Sequence, residues 1–173
     1  MGPSVPQNVA IRKAGVKDAE AMSLLAVSLS GEYVTAEFPD DVARSFLGAM
    51  SPHEIENKIT SGFRYHVAET DGRIIGLVGV KDNTHLYHLF VSKAYHRKGV
   101  ARRLWTIAME TAIAAGNSEG FTVNSSKYAK HFYEKLGFVV LPQPQEQNGA
   151  ATIPMKLTLG GSAFTRNRPH ATH

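Results

Sequence analysis

The sequence contains no cysteine, and this absence removes several kinds of chemistry at once. Disulfide bonds, thiolate metal sites and cysteine nucleophiles are all excluded, and the absence is typical of proteins from a reducing compartment. No apolar run approaches the roughly 20 residues of a membrane span. The first ten residues, MGPSVPQNVA, also lack the apolar core of a signal peptide. We therefore expect a cytoplasmic protein.

Outside one short segment, the positive and negative charges of the chain balance. The formal net charge is +4, and it equals the contribution of four neighbouring residues, Arg97, Lys98, Arg102 and Arg103. Such local concentration favours a specific anion site over a generally basic nucleic-acid binder. The isoelectric point near 9.4 is the only sign of nucleic-acid binding, and we expect none. No histidine, aspartate and glutamate set has the spacing of metal ligands, so no metal is expected.

A chain of 173 residues suits one domain. We expect a flexible arm over residues 1–9, one folded domain over residues 10–159 and a flexible tail over residues 160–173. Within the domain, the patterns give the order β-α-α-β-β-β-α-β-α-β-β. This order predicts an α+β fold, in which helices pack against a mixed, mostly antiparallel sheet.

Turn and cap residues place several of these elements. Asp71-Gly72 predicts the turn of a hairpin within FRYHVAETDGRIIGLVGV. Ser51 is expected to cap a helix in SPHEIENKITSG, and an apolar stripe from Val100 predicts a long helix that ends at Gly116. The acidic segment GEYVTAEFPDD is expected to be irregular. FVV and TIPMKLTL are predicted strands on either side of the loop LPQPQEQNGA.

The segment YHRKGVARRLW presents an electrostatic problem. Its basic residues surround the predicted start of a helix, where the helix dipole is already partly positive. The free N–H groups of a first helical turn suit phosphate oxygens, and Gly99 lets the backbone approach a ligand closely. The segment therefore indicates an anion site, with a merely solvated helix start as the alternative. A Walker-type nucleotide loop is excluded, because no Gly-Lys-Ser/Thr follows.

The pattern His96-Arg97-Lys98-Gly99-Val100-Ala101 resembles the acyl-CoA pyrophosphate loop of the GNAT superfamily of N-acetyltransferases, usually Gln/Arg-x-x-Gly-x-Gly/Ala. FYEKLGF, which begins at Phe132, resembles the second hallmark of the family. The likeness covers roughly residues 9 to 159. His96 departs from the usual Gln or Arg. Ser126 stands near where many relatives carry an Asn that contacts the cofactor, and a serine offers less hydrogen bonding than an amide.

The resemblance implies a GNAT-like acyl-CoA N-acyltransferase fold with about seven strands and about four helices. It also implies direct transfer of an acetyl group, within a ternary complex, from acetyl-CoA to a primary amine of a small molecule or peptide. The strand HLYHLFV would pair with the pantetheine amides, and its backbone would supply N–H groups to the thioester oxygen. The positions implied to bind acetyl-CoA are Leu89, Phe90, Val91, Arg97, Lys98, Gly99, Val100, Ala101, Arg102, Asn124 and Ser126.

Three residues are candidates for catalysis through the same resemblance. Tyr133 matches the tyrosine that faces the CoA sulfur in many relatives, and its phenol is a plausible acid for the leaving thiolate. The alternative is a packed helix tyrosine with its hydroxyl at the surface. His85 and Tyr87 match positions where the family often carries a base. His85 suits that role at neutral pH, although a surface or substrate-contact histidine is an equal alternative.

Strand alternation predicts which of these side chains share a face. His85, Tyr87, Leu89 and Val91 are expected on one face of the sheet, with Leu86, His88 and Phe90 on the other. We expect His88 to pack against a helix.

Acceptor choice is expected to depend on the early helices and the loop between them, as in relatives. That region carries two aromatic residues, Tyr33 and Phe38, and the acidic residues Glu32, Glu37, Asp40 and Asp41. This mixture could attract a cationic amine, or it could be an ordinary solvated loop. ATIPMKLTL could offer a sheet edge for a homodimer. A non-catalytic acetyl-CoA-binding sensor or partner domain is the alternative function.

Overall fold

The computed structural model describes residues 5–36, 38–142, 145–147 and 150–160. Its strands are β1 Ala10–Lys13, β2 Phe63–Thr70, β3 Arg73–Lys81, β4 His85–Val91, β5 Gly120–Ser125, β6 Val139–Val140, β7 Gln145–Gln147 and β8 Ala150–Thr158. Its α-helices are α1 Ala19–Tyr33, α2 Asp40–Gly48, α3 Pro52–Thr60, α4 Val100–Ala114 and α5 Lys130–Lys135. Short 3-10 turns cover Val16–Asp18 and Lys93–Tyr95.

The strands form one sheet in the order β1-β2-β3-β4-β5-β8-β6, and β7 pairs with the beginning of β8. Only the β4–β5 pair is parallel among the described strands. The predicted α+β class and the mixed, mostly antiparallel sheet are therefore confirmed. The expected free edge at ATIPMKLTL is wrong, because β8 lies between β5 and β6 and pairs with both.

Two predictions about the early helices need correction. The segment expected to be irregular instead contains the end of α1, which runs through Gly31 to Tyr33, and the beginning of α2. The sequence order omitted α2 altogether, so the described residues hold five α-helices instead of about four. Asp40 and Asp41 occupy the first turn of α2, where the helix dipole favours negative charge.

Other local signals are confirmed by the backbone. The hairpin turn places Asp71 at φ 49° and Gly72 at φ 72°, the left-handed pair that a tight two-residue turn needs. The Ser51 hydroxyl accepts a hydrogen bond from Glu54 N at 3.3 Å and so caps α3. LPQPQEQNGA was expected to be a loop, but it also contains β7, which pairs with β8.

Helices cover both faces of the sheet, and a separate apolar cluster lies under each layer. The cluster beneath α4 and α5 includes Leu86, Leu104, Trp105 and Phe121. The cluster beneath α1 and α3 is made of buried residues that include Met22, Ile55, Tyr65, Val67 and Leu77. We call these the α4 face and the α1 face.

Both predicted chain ends, the arm and the tail, extend beyond the described residues. Residues 1–4 of the expected arm and residues 161–173 of the expected tail lie outside the described residues. Within the described part of the arm, Val5 and Val9 pack against the cluster on the α4 face. Asn8 donates a hydrogen bond to the Thr70 hydroxyl at 2.8 Å.

Candidate active site

The parallel strands β4 and β5 separate after a short paired segment. Only His85 with Thr122 and Leu86 with Val123 are paired. Beyond them, β4 continues along β3 as far as Val91, and β5 continues along β8 as far as Ser125. The result is a wedge-shaped cleft between two strands whose facing backbone groups do not pair with each other. An extended chain with amide groups could pair with the exposed edge of β4.

A bulge in β4 lies where the cleft begins. Gly79 of β3 is opposite His88, whereas Val80 is opposite Leu86, so Tyr87 is an extra residue in β4. A bulge changes the face to which the following side chains point. Tyr87 and His88 therefore lie side by side, with ring centroids 4.6 Å apart.

The bulge overturns the predicted division of faces. Leu86, Leu89 and Val91 all belong to or pack against the cluster on the α4 face. His88 and Phe90 instead contact the α1 face, through Tyr65 and its cluster. The strict alternation expected from the sequence holds only on each side of the bulge.

The predicted anion loop connects β4 to α4 through two left-handed residues, Arg97 at φ 60° and Gly99 at φ 78°. His96 Nε2 donates a hydrogen bond of 2.6 Å to Val91 O and ties the loop to the end of β4. Arg103 N donates to Gly99 O at 3.0 Å, so the three preceding N–H groups have no helical acceptor. Left-handed residues next to a first helical turn whose N–H groups lack acceptors are typical of backbone concavities that bind anions.

The charged side chains around this loop are free to meet such an anion. Arg97, Lys98, Arg102 and Arg103 are exposed, and none of them takes part in an ion pair with another described residue. Lys98 Nζ lies over the Tyr95 ring at 5.4 Å from its centroid. The donor set of backbone N–H groups and unpaired cations fits a pyrophosphate.

Tyr133 lies on α5, on the α4 face of the sheet. The residue is only 8% exposed, so its ring is packed. Its ring packs against Phe132 and Phe138, with centroids 5.6 and 5.7 Å apart. Phe138 N donates to Tyr133 O and closes the end of the helix. Burial raises the pKa of the phenol, so Tyr133 is protonated at neutral pH.

His85 lies at the closed end of the cleft, in one of the two β4–β5 pairs. Its Nδ1 is 2.7 Å from the Thr122 hydroxyl. Burial, and to a smaller extent the charge of Lys81, lowers the pKa of His85 and favours the neutral imidazole.

Tyr87 lies in a polar and aromatic cluster beneath α3. Lys58 Nζ is 5.8 Å from its ring centroid, and the Phe63 ring packs edge-on at 5.1 Å. Burial and the charge of Glu54 raise the pKa of the Tyr87 phenol, which is therefore protonated at neutral pH.

His88 has a polar partner that the sequence did not indicate, a tyrosine of the neighbouring part of the sheet. Tyr65 Oη lies 3.0 Å from His88 Nδ1, and both residues are buried. Burial, aided by the charge of Lys58, lowers the pKa of His88 to about 3, so the ring is neutral. This pair joins two strands 23 positions apart, and no local sequence pattern identifies it.

Asn124 and Ser126 lie on the other side of the cleft. Asn124 is half-buried in β5, beyond the last pair with β4. The Ser126 hydroxyl accepts a hydrogen bond from Ala129 N at 3.2 Å, so it stabilises the turn that leads into α5. Its O–H remains available as a donor.

Several solved structures resemble this fold. A GCN5-related N-acetyltransferase from Rhodopseudomonas palustris matches with a TM-score of 0.75 and 25% identity, covering 92% of this chain and 99% of that chain. The paia N-acetyltransferase of Thermoplasma acidophilum, in complex with coenzyme A, matches with a TM-score of 0.75 and 18% identity. The match covers 87% of this chain and 98% of that chain. The yncA protein of Salmonella typhimurium, with its cofactor acetyl-CoA, matches with a TM-score of 0.64 and 21% identity. The match covers 91% of this chain and 97% of that chain.

These likenesses show that the chain has the fold of these acetyltransferases. A family model described as an acetyltransferase (GNAT) domain matches residues 31–159. The chain therefore belongs to the GNAT family of acetyltransferases, as its sequence motifs predicted. No curated protein matches the chain.

No helix among the described residues is both long and apolar enough to cross a membrane. The same residues contain no cluster of three or more side chains suited to hold a metal ion.

Proposed function

We propose that this protein transfers the acetyl group of acetyl-CoA to a primary amine by direct attack in a ternary complex. The observation that carries this proposal is the joint geometry of β4. The strand leaves β5 to open a cleft, and it then leads directly into a left-handed loop surrounded by unpaired cations. One continuous segment thus offers backbone edges for an amide-containing arm and an anion site for its phosphates.

The residues proposed to hold the cosubstrate follow from this geometry. Backbone N–H groups of Gly99–Arg102 and the cations of Arg97, Lys98 and Arg102 would bind the pyrophosphate. The cleft-facing backbone of Leu89–Val91 would pair with the pantetheine amides, and Asn124 and Ser126 line the opposite strand and turn. When bound, acetyl-CoA supplies an activated acetyl thioester.

The chain's own groups can manage the protons of the transfer. A neutral amine nitrogen forms the new C–N bond while the C–S bond breaks, so one proton must leave nitrogen and one must reach sulfur. His85, held neutral by burial, can accept the first proton directly or through a water, and Tyr87 can donate a hydrogen bond to that water. Tyr133 can donate the second proton. Backbone N–H groups of β4 can stabilise the oxyanion.

The raised pKa of Tyr133 has two consequences for its role. It guarantees that a proton is present to donate, but it makes complete transfer to a thiolate in water unfavourable. A sulfur leaving group in the same low-dielectric cleft also has a raised pKa, because burial disfavours the thiolate. The two shifts oppose each other, so the phenol remains a competent donor.

A binding experiment tests the cofactor half of the proposal. Calorimetric titration with acetyl-CoA, desulfo-CoA and ADP should show binding of both CoA compounds, and ADP should bind more weakly because it lacks the pantetheine arm. No binding at millimolar ligand would contradict the assigned loop. Binding without thiol release across a panel of primary amines would favour a non-catalytic sensor.

Removal of the Tyr133 hydroxyl tests the catalytic half. We expect Tyr133→Phe to lower kcat by about 10²–10⁴-fold, the usual worth of general acid catalysis, while the dissociation constant of desulfo-CoA stays unchanged. Tyr95→Phe is the matched control, because it deletes a phenol hydroxyl and keeps the ring beneath Lys98. Equal kcat values for wild type and Tyr133→Phe would show that Tyr133 is not the acid.

A further inference from the structure

One aromatic side chain spans the open end of the cleft. Tyr33, the last residue of α1, stacks on Tyr128 with ring centroids 4.8 Å apart and planes 24° apart. Its centroid also lies 6.2 Å from that of His96. His96 follows β4 and Tyr128 follows β5. Because Tyr33 contacts the segment after each diverging strand, its ring must lie across the gap between them.

The bridge lies on the α1 side of the cleft, opposite the helix layer that follows the anion loop. The loop at Gly99 leads into α4, so a pyrophosphate bound there lies at the end of the helix layer on the α4 face. Tyr33 belongs to α1, which covers the opposite face. Two substrates that react in one complex need separate approaches to the thioester. The route left for the acceptor is therefore from the α1 side, where the aromatic bridge lies.

The bridge is weakly held and can open. Tyr128 is 62% exposed, an unusual position for a large ring, and its stack on Tyr33 joins two segments that are far apart in the chain. The end of α1 is also tied by an ion pair of 3.5 Å between Glu32 Oε1 and Lys93 Nζ. Both of these side chains are more than half exposed, so the pair contributes little.

We propose that the Tyr33–Tyr128 stack is a gate on the acceptor side of the cleft and determines which amines enter. The gate rests on the proposed acetyl transfer, because it controls access to that same cleft. In its closed form it keeps water from the thioester. In its open form each tyrosine offers a ring face to the group that carries the amine.

The gate favours amines that carry an aromatic group. Opening the bridge separates two stacked rings, and an aromatic acceptor can replace one of them, whereas an aliphatic acceptor of the same charge cannot. The interaction free energy of one aromatic pair corresponds to a preference of about three- to ten-fold in kcat/KM for the aromatic over the aliphatic acceptor.

The first test needs acetyl-CoA and water alone. Thiol release without any amine reports attack of water on the thioester, which yields acetate and CoA. We expect Tyr33→Ala and Tyr128→Ala to raise this rate by at least about three-fold, since they remove the stack. Tyr33→Phe and Tyr128→Phe keep both rings and should match the wild type, since Tyr33→Phe loses only a contact of its hydroxyl with the exposed Lys93 ammonium. The dissociation constant of desulfo-CoA should stay the same in all four variants.

The second test compares 2-phenylethylamine with butylamine, both cationic primary amines. The wild type and the phenylalanine variants should prefer 2-phenylethylamine, and the alanine variants should lose the preference. Unchanged hydrolysis in the alanine variants, or an equal kcat/KM for both amines in the wild type, would overturn the gate. Weaker desulfo-CoA binding in the alanine variants would also overturn it, by assigning the rings to the cofactor site. Failure of the wild type to bind desulfo-CoA would instead remove the proposed function itself.

Discussion

Gly99→Ala is the sharpest single test of the anion loop, because the same chain contains a matched glycine elsewhere. Gly99 has φ 78° at the start of α4, and Gly72 has φ 72° in the hairpin turn between β2 and β3. Both lie in the left-handed region that an alanine adopts only with strain. A Cβ at Gly72 would meet nothing within 4 Å. The two substitutions therefore share a backbone cost and differ in their distance from the proposed site.

The expected loss of stability follows from that shared cost. A left-handed conformation costs an L-residue about 1–2 kcal/mol, and the reduced freedom of the unfolded chain returns about 0.4–1 kcal/mol. The net loss is about 1 kcal/mol for each variant, which lowers Tm by about 2–4 °C in a protein of this size. Differential scanning calorimetry should find the two variants alike.

Affinity for CoA should separate the two variants. An alanine at position 99 is strained at this left-handed φ, and relaxation of that strain would turn the first-turn N–H groups away from a bound phosphate. Loss of one hydrogen bond to a charged group costs about 1.5–3 kcal/mol, which is about ten-fold or more in Kd. Titration with desulfo-CoA should therefore show weaker binding by Gly99→Ala and normal binding by Gly72→Ala. Equal affinities would refute the assignment of the anion site to this loop.

Two further substitutions test how the scaffold is held together. Asp18 accepts two hydrogen bonds from Arg12, each 2.9 Å, and this lowers its pKa from 3.8 to about 2. Because the lower pKa belongs to the folded state, Asp18→Asn should cost about 2 kcal/mol at pH 7. That difference should shrink as pH falls from about 5 to 2 in urea titrations. A stability difference between wild type and Asp18→Asn that stays constant over this pH range would contradict the assigned role of the Arg12–Asp18 pair. Gly79→Ala should destabilise by about 1–3 kcal/mol, because its Cβ would overlap the Tyr65 ring. Gly31→Ala in α1, where a Cβ meets nothing, should be neutral or stabilising by about 0.5–1 kcal/mol; similar losses for both would contradict the overlap.

The strand-loop-helix geometry of the proposed anion loop could be predicted from the sequence because its determinants are contiguous. The end of a strand, a glycine and the first turn of a helix follow one another within His85–Ala114, and each has a local signal. The place of Tyr133 on α5 was predictable for the same reason, since the residue stands within one short motif, whereas its role in catalysis stays a prediction. The same locality explains the hairpin at Gly72 and the cap at Ser51.

Features that depend on pairing between distant segments could not be predicted. The bulge at Tyr87 exists because β4 has one residue more than β3 over the same length, and neither strand shows this alone. The reversal of faces, and with it the Tyr65–His88 hydrogen bond, follows from that one residue. The stack of Tyr33 on Tyr128 similarly requires α1 to end above the gap between β4 and β5.

The failed prediction around α2 has a physical reason that also bears on the acceptor side. Gly31 and the acidic residues after it suggested a loop, but Gly31 lies within the last turns of α1, and the tertiary contacts of α1 outweigh a single unfavourable residue. Asp40 and Asp41 are explained by the dipole of α2, and Glu37 lies outside the described residues. Glu32 is paired with Lys93. Charge therefore gives only a weak argument about the acceptor, and the stacked aromatic rings at the open end of the cleft give a stronger one, for an acceptor that carries an aromatic group.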